Sequence, residues 1–147
     1  MANAANHRHR IVVIDADHDL RNGVLHRCAG EGWDVVGAAD RSEALGHLDG
    51  EPCPCVIFLD PMMPGMDGWR FMSELLVWPN LRAVPIVVVS SCGTPQSVQW
   101  LGATEYLRKP FPATRAVEIV QELCPSAVLA VSTSPRADVA EGQVENR

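Results

Sequence analysis

The sequence has no run of apolar residues approaching the roughly 20 that a membrane-spanning helix needs. Its first residues, MANAANHRHR, are polar and contain no signal-like apolar segment. Basic residues are also scarce, since 12 Lys and Arg stand against 18 Asp and Glu, for a formal net charge of -6. Phosphate affinity depends on clustered Lys and Arg, so direct nucleic-acid binding is disfavoured. We therefore expect a cytoplasmic protein without membrane insertion.

The cysteines are too scattered in the sequence to define a disulfide framework or a zinc site. There are five, an odd number, at positions 28, 53, 55, 92 and 124. Cys53 and Cys55 form a C-x-C pair, but no nearby His or Cys in the sequence completes a tetrahedral ligand set. We interpret them as buried, reduced thiols beside a strand. His7 and His9 belong to a terminal His/Arg run of the kind that is usually solvated.

Apolar residues, by contrast, are abundant: 47% of the 147 residues are hydrophobic and only 20% are charged. This length suits one domain with a full core. We expect a flexible arm at residues 1-9, a folded domain at 10-124 and a disordered tail at 125-147, where Ser, Pro and Ala replace the periodic pattern. The length leaves no room for an attached DNA-binding or catalytic output domain, so we expect a stand-alone domain.

Short runs rich in β-branched residues alternate with segments of helical periodicity. Strands are predicted at 11–14, 35–38, 56–59, 85–89 and 105–108. A helix follows each strand: the first ends at Gly30 or Gly32, and Asp40-x-x-Glu43 forms a capping box for the second. Asp67 can cap the third helix, a short fourth is predicted at 96–101, and a last helix begins after residue 112. Repeated strand–helix units predict a parallel sheet with helices on both faces.

Polar side chains follow four of the five predicted strands. Asp15 follows the first strand with Asp17 close by, Asp60 follows the third, Ser90 the fourth and Lys109 the fifth. Because the carboxyl ends of parallel strands gather at one edge of a sheet, we expect these side chains to converge. Clustered carboxylates attract a hard cation such as Mg²⁺. A lysine and a hydroxyl nearby suit the oxygens of a phosphoryl group.

Four segments carry a resemblance to a known family. They are IVVIDAD at the first strand, VIFLDPMMPGMDGW around Asp60, PIVVVSS at the fourth strand and GATEYLRKPF at the fifth. Together they make the chain, over about residues 11 to 124, resemble the CheY-like receiver domains of two-component response regulators. The resemblance implies an α/β fold of the flavodoxin-like type, a doubly wound five-stranded parallel sheet with (βα)5 order.

The resemblance also implies a function in phosphorelay signalling. Asp60 corresponds to the phosphoacceptor, which takes a phosphoryl group from a phosphohistidine on a sensor histidine kinase or a histidine phosphotransfer protein. Ser90 and Lys109 correspond to the groups that bind phosphoryl oxygens, and Tyr106 to the switch aromatic. Lys109-Pro110 resembles the family's cis peptide. Such a domain acts on a downstream protein target through protein contacts, and it catalyses its own phosphotransfer, so we do not expect a separate enzyme activity.

The metal ligands implied by the resemblance include one departure from the family. Asp15, Asp60 and the backbone carbonyl of Met62 are the implied Mg²⁺ ligands, with Asp17 as a further candidate. The family has a second acidic residue beside Asp15, where this sequence has Ala16. We therefore expect weakened Mg²⁺ binding. The segment from 91 to 108 is also shorter than is usual in the family, which predicts a short or irregular fourth helix.

Two other functions are compatible with parts of this pattern. The Asp15-Ala16-Asp17 string resembles the D-x-D start of haloacid-dehalogenase-like phosphatases, with Asp15 as the nucleophile. Those enzymes need acidic residues after the lysine, and the first acidic residue beyond the last predicted helix is Asp138 in the tail. A receiver-like interaction module that is never phosphorylated is favoured by Ala16 alone. It is disfavoured by the joint presence of the four strand-end residues Asp15, Asp60, Ser90 and Lys109.

Overall fold

The computed structural model describes residues 9–49, 53–92 and 102–124. The predicted helix at 96–101, the tail at 125–147 and most of the predicted arm lie outside the described residues. In the described ranges, no helix combines the length and apolarity needed to cross a membrane. The elements are β1 (Arg10–Ile14), α1 (His18–Ala29), β2 (Asp34–Ala38), α2 (Arg41–Leu48), β3 (Val56–Leu59), α3 (Gly68–Val77), β4 (Ile86–Ser90), β5 (Glu105–Arg108) and α4 (Ala113–Leu123).

The five strands form one parallel sheet with the order β2-β1-β3-β4-β5. Ile14 at the end of β1 lies opposite Leu59 at the end of β3. At the other side of the sheet, Ser90 at the end of β4 lies opposite Arg108. The residues that follow these strands therefore emerge side by side along one edge. The predicted doubly wound α/β sheet is confirmed.

Alternate side chains of the strands enter two separate cores, one on each face of the sheet. Val12 and Ile14 of β1 pack into the core that α2 and α3 cover. Ile11 and Val13 pack into the core that α1 and α4 cover. Strands buried on both faces must be apolar at every position, which explains the continuous runs in the sequence. The largest fully buried side chains include Phe58, Phe71, Ile11, Ile14, Leu48, Ile57, Leu59, Met72, Leu75, Leu81, Ile86 and Ile119.

Aspartates begin the first three helices. The carboxylate of Asp17 accepts a backbone N–H at 3.1 Å in the first turn of α1, and those of Asp40 and Asp67 do the same for α2 and α3 at 2.9 and 3.1 Å. Each bond satisfies one of the amides that the start of a helix leaves unpaired. The predicted capping box of α2 is present in modified form, because Glu43 accepts from the amide of Ala39 at 2.7 Å.

Gly68, the first residue of α3, allows the chain leaving β3 to pack tightly. A Cβ at this position would overlap the backbone of Pro61. We expect Gly68→Ala to lower the free energy of unfolding by about 1–3 kcal/mol, as overpacking does. Gly46 of α2 is the matched control, since a Cβ there meets nothing within 4 Å. Gly46→Ala should raise that free energy by about 0.5–1 kcal/mol. Urea unfolding of both variants checks this, and effects of the same sign would contradict it.

Candidate functional site

Three charged side chains meet at the carboxyl edge of the sheet. The ammonium nitrogen of Lys109 lies 2.8 Å from Oδ2 of Asp60 and 3.0 Å from Oδ2 of Asp15. The Asp15 side chain is 2% exposed, that of Asp60 10% and that of Lys109 17%. Lys109 follows β5, whereas the carboxylates follow β1 and β3, so the lysine reaches across the end of β4. The structure thus brings together three of the residues that the sequence predicts to converge.

Backbone amides hold both carboxylates in place. Oδ1 of Asp15 accepts the N–H of Asp17 at 2.9 Å, and Oδ1 of Asp60 accepts the N–H of Met62 at 2.8 Å. In each case the donor lies two residues later, in the turn that follows the strand. In Asp60 one oxygen is therefore fixed by its own turn, and the other accepts a hydrogen bond from Lys109. In Asp15 the oxygen fixed by the turn, Oδ1, also accepts a hydrogen bond from Lys109 at 3.3 Å, and Oδ2 lies at ion-pair distance from the same ammonium. The side chains are ordered before any ligand binds.

Burial and mutual contact shift the pKa values in this cluster. Burial raises the pKa of Asp15, and the hydrogen bonds from the Asp17 amide and Lys109 oppose that shift only in part. Burial lowers the pKa of Lys109, but the hydrogen bonds and charges of Asp60 and Asp15 outweigh it, so the pKa of Lys109 is raised. Lys109 is therefore a cation at neutral pH. By formal charge, two carboxylates and one ammonium leave the cluster with one excess negative charge.

Ser90 and Tyr106 belong to one hydrogen-bonded group beside this cluster. Ser90, the last residue of β4, is 1% exposed, and its Oγ accepts the N–H of Cys92 at 3.2 Å. The Tyr106 hydroxyl donates to the carbonyl oxygens of Cys92 and Ser90 at 3.1 and 3.4 Å. The Lys109 amide donates to the Ser90 carbonyl at 2.9 Å, and the Lys109–Pro110 peptide is cis. A displacement of Ser90 would therefore change the hydrogen bonds of the Tyr106 hydroxyl.

The oxygen atoms of this cluster provide part of the ligand set that a hard cation such as Mg²⁺ needs. Oδ2 of Asp15 is buried and within ion-pair distance of Lys109, yet it receives no well-directed hydrogen bond. Such an oxygen has a lone pair available for a metal ion, and Asp60 supplies a second carboxylate. Ala16 and Asp17 are both exposed, and the Asp17 carboxylate accepts the helix-capping bond. The structure therefore keeps Asp17 outside the buried cluster, and Ala16 contributes no side-chain oxygen.

Two contacts of the site were missing from the sequence-based prediction. The Arg21 guanidinium donates to the backbone carbonyl of Asp15 at 2.8 Å, which ties α1 to the end of β1. Cys92 supplies the amide and the carbonyl that connect Ser90 with Tyr106. Arg21 lies four residues after the Asp17 cap, so helical spacing alone placed it on the same side of α1 as that cap. No sequence signal indicated the role of the Cys92 backbone.

Comparison with known proteins agrees with this geometry. Residues 11–121 match the family described as "Response regulator receiver domain". The phosphate regulon transcriptional regulatory protein PhoB of Escherichia coli is 31% identical over 126 residues, which cover 81% of this chain and 55% of PhoB. An uncharacterized 14.6 kDa protein of Leptolyngbya boryana is 28% identical, with 78% and 88% covered.

Solved structures show the same relationship. Chemotaxis response regulator CheY4 of Vibrio cholerae superposes with a TM-score of 0.71 at 27% identity, covering 80% of this chain and 99% of CheY4. The chain spans about half the length of the curated relatives it first matches, 55% for PhoB. The family match at residues 11–121 begins within β1 and ends within α4. The family match, the fold and the cluster of charged side chains at the strand ends all agree. The chain belongs to the family of response regulator receiver domains.

Proposed function

We propose that Asp60 is the phosphoacceptor of this receiver domain. The observation that carries the proposal is the buried Asp60 carboxylate, held by a backbone amide on one oxygen and 2.8 Å from the Lys109 ammonium on the other. An Asp60 oxygen attacks the phosphorus of a phosphohistidine, a P–O bond forms and the P–N bond breaks. The imidazole leaves with the electron pair of that bond and takes up a proton. The product is an aspartyl phosphate.

Lys109 and Ser90 supply the groups that stabilise the transferred phosphoryl. Transfer brings negative charge into a site that is already anionic, so a fixed cation lowers its energy. Lys109 is that cation, and it moves from the free Asp60 carboxylate to a phosphoryl oxygen. The Ser90 hydroxyl, which now accepts a bond from Cys92, donates to another phosphoryl oxygen. Both roles use groups that the structure already holds at the edge of the sheet.

Receiver domains generally bind Mg²⁺ at the phosphorylation site. We propose that Asp15, Asp60 and the backbone carbonyl of Met62 hold it here, with Asp17 as a further candidate that would first have to leave its capping position on α1. Mg²⁺ prefers oxygen ligands and keeps several waters, so two carboxylates and a carbonyl suffice. When bound, it neutralises charge on the phosphoryl oxygens. Asp15 therefore acts as the cation ligand and Asp60 as both ligand and nucleophile.

Ala16 should make this site weak for Mg²⁺, and Ala16→Asp should strengthen it. The added carboxylate lies beside Asp15 on an exposed position and restores one negative charge, worth about 1–3 kcal/mol of net binding. Mg²⁺ affinity should rise roughly ten- to a hundredfold, and the apo domain should lose stability through repulsion between like charges. Calorimetric Mg²⁺ titration of both proteins measures the affinity. Equal affinities would show that Asp17 or water already replaces the missing ligand.

Receiver domains are phosphorylated by histidine kinases. We propose a sensor histidine kinase or a histidine phosphotransfer protein as the phosphodonor here, and a downstream protein as the target reached through surface contacts. We also propose the cytoplasm as the compartment. None of the five cysteines, all of which lie in the described ranges, forms a disulfide, and reduced cysteines in this number suit a reducing environment.

Ser90 should couple phosphorylation to the conformation of the 90–110 region. A ligand shifts a two-state equilibrium only through contacts that differ between the states, and the Ser90–phosphoryl bond is such a contact. As Ser90 moves towards the phosphoryl group, Tyr106 should follow into the space vacated. We expect Ser90→Ala to accept phosphate and to show little change in amide NMR shifts around residues 90 to 110. A full wild-type shift pattern in the phosphorylated variant would contradict this coupling.

Phosphorylation itself is tested by incubating the full chain with acetyl phosphate and recording intact mass, with and without Mg²⁺. We expect one added phosphate per chain, faster with Mg²⁺ and suppressed when a chelator removes the ion. No labelling at saturating Mg²⁺ would overturn the proposal and favour the interaction module that is never phosphorylated. The family match leaves the phosphatase hypothesis built on Asp15 without support.

A further inference from the structure

A second cluster of ligand-type side chains lies at the opposite edge of the sheet. His9 immediately precedes β1, Cys55 immediately precedes β3, and Cys124 immediately follows α4. Helices in a doubly wound sheet run opposite to the strands, so the end of α4 lies at the amino edge. The cluster is therefore separate from Asp60, Lys109 and the candidate Mg²⁺ site.

The three donor atoms are close enough to share one ion. Nδ1 of His9 lies 3.3 Å from Sγ of Cys55 and 4.0 Å from Sγ of Cys124. All three atoms lie within 4.8 Å of one another. With usual zinc bond lengths and tetrahedral angles, N···S and S···S separations are about 3.5 and 3.8 Å. Shifts of a few tenths of an ångström in the His9 and Cys55 positions, and somewhat more in the Cys124 position, would complete the geometry.

The backbone holds all three residues to regular structure. The His9 carbonyl accepts the amide of Asp34 at 2.8 Å, which continues the β1–β2 pairing. The Cys55 amide donates to the carbonyl of Arg10 at 2.8 Å, and the Cys124 amide closes the last turn of α4 at 2.8 Å. The sheet and the helix therefore position the donor residues before any ion binds. The conformational entropy of these residues is lost on folding, so ion binding does not have to order them.

The chemistry of the donors selects the kind of ion. One imidazole nitrogen and two thiolate sulfurs suit Zn²⁺ and other thiophilic cations, whereas Mg²⁺ and Ca²⁺ prefer oxygen. Two thiolates also neutralise the charge of a divalent ion, which favours binding at a partly buried position. Binding would release the thiol protons to solvent.

We propose that His9, Cys55 and Cys124 form a binding site for a thiophilic divalent cation of the Zn²⁺ type, with three protein ligands and a fourth position open to water. The site joins the starts of β1 and β3 to the end of α4. An ion bound only to this folded arrangement stabilises the domain by mass action. The proposal does not depend on phosphorylation of Asp60, so either can fail without the other.

Cobalt titration of the full chain, reduced and free of oxygen, tests the site, because Co²⁺ reports thiolate ligation through sulfur-to-metal charge-transfer absorption. We expect one equivalent of Co²⁺ to bind, Zn²⁺ to displace it, and excess Mg²⁺ to leave it in place. Cys55→Ser and Cys124→Ser should each weaken binding at least a hundredfold, since even the loss of an outer partner of a metal ligand costs 10- to 100-fold. Cys92→Ser, a thiol at the other edge of the sheet, is the matched control and should bind like wild type.

Thermal unfolding provides the second measurement and separates lost ligands from lost fold. Zn²⁺ should raise the melting temperature of wild type and of Cys92→Ser, and leave that of folded Cys55→Ser and His9→Ala unchanged. Circular dichroism of the metal-free variants establishes that they are folded. Absence of a charge-transfer band in wild type, or a band of wild-type affinity in Cys55→Ser or Cys124→Ser, would overturn the proposal.

Discussion

Replacing Asp60 with asparagine should abolish phosphorylation by acetyl phosphate, whereas Asp17→Asn should leave most of it. Asparagine is nearly isosteric, so its amide oxygen keeps the bond from the Met62 amide, but the group has no anionic oxygen to attack phosphorus. Asp17 is exposed and caps α1, and asparagine caps a helix as well as aspartate does. The full loss should therefore be specific to Asp60.

Intact-mass spectrometry of wild type and both variants, under one Mg²⁺ concentration, measures this difference. The melting temperature of Asp60→Asn serves as the check that the fold is retained. Labelling that survives in Asp60→Asn would place the phosphate elsewhere and end the proposed mechanism. Equal losses in the Asp60 and Asp17 variants would instead show that Asp17 is a required metal ligand, contrary to its place as a helix cap.

Lys109→Met should strongly destabilise the metal-free domain at neutral and higher pH. Lys109 lies within 3.0 Å of both carboxylates, and its removal leaves Asp15 and Asp60 buried near each other without a cation. Removing one partner from a buried ion pair costs about 3–5 kcal/mol, because the remaining charge is uncompensated. Chemical denaturation at pH 7 and above should report a loss of this order in the free energy of unfolding.

The loss in Lys109→Met should shrink as pH falls. The pKa of Asp15 is already raised by burial, and Lys109 is one of the groups that lower it, so this pKa should rise further in the variant. A carboxyl with a higher pKa in the folded state binds protons more tightly there than in the unfolded chain. Stability then falls as pH rises through the folded-state pKa, and returns as pH drops through it.

The exposed pair of Arg70 and Glu74 gives a matched control for this charge deletion. Nε of Arg70 lies 3.9 Å from Oε2 of Glu74, and the two side chains are 80% and 43% exposed, so solvent screens their interaction. Arg70→Met should change stability by less than about 1 kcal/mol and show no comparable pH dependence. A loss in Lys109→Met that is as small as in Arg70→Met would contradict the buried cluster as described.

The strands were predictable because burial on both faces imposes a local pattern. The run 11–14 corresponds to β1 (Arg10–Ile14), 56–59 to β3 and 105–108 to β5. The aspartate caps were also predictable, since an N-cap bond spans only a few residues. Which helix residues are fully buried was less predictable: Val24 and Cys28 of α1 are buried, while Leu20 and Leu25 are only half-buried.

The carboxyl-edge cluster could be predicted because parallel strands end together, so topology alone brings Asp15, Asp60 and Lys109 to one edge. What local sequence left open was which aspartate enters the cluster and which caps the helix. That depends on the turn after β1, where Asp15 is buried and Asp17 is exposed. Lys109 contacts the carboxylates of Asp15 and Asp60, which lie 94 and 49 residues earlier in the chain, because the sheet order brings the ends of their strands together.

The sequence by itself determined the strand pattern and the helix starts, because both depend on short-range patterns of residues. It also determined the edge of the sheet at which Asp15, Asp60 and Lys109 lie, because parallel strands run in a common direction. Only the tertiary structure decided that His9 meets Cys55 and Cys124, which lie 46 and 115 residues further along the chain. No periodicity links these positions. They meet because the packing of α4 on the sheet returns the chain to the amino ends of β1 and β3.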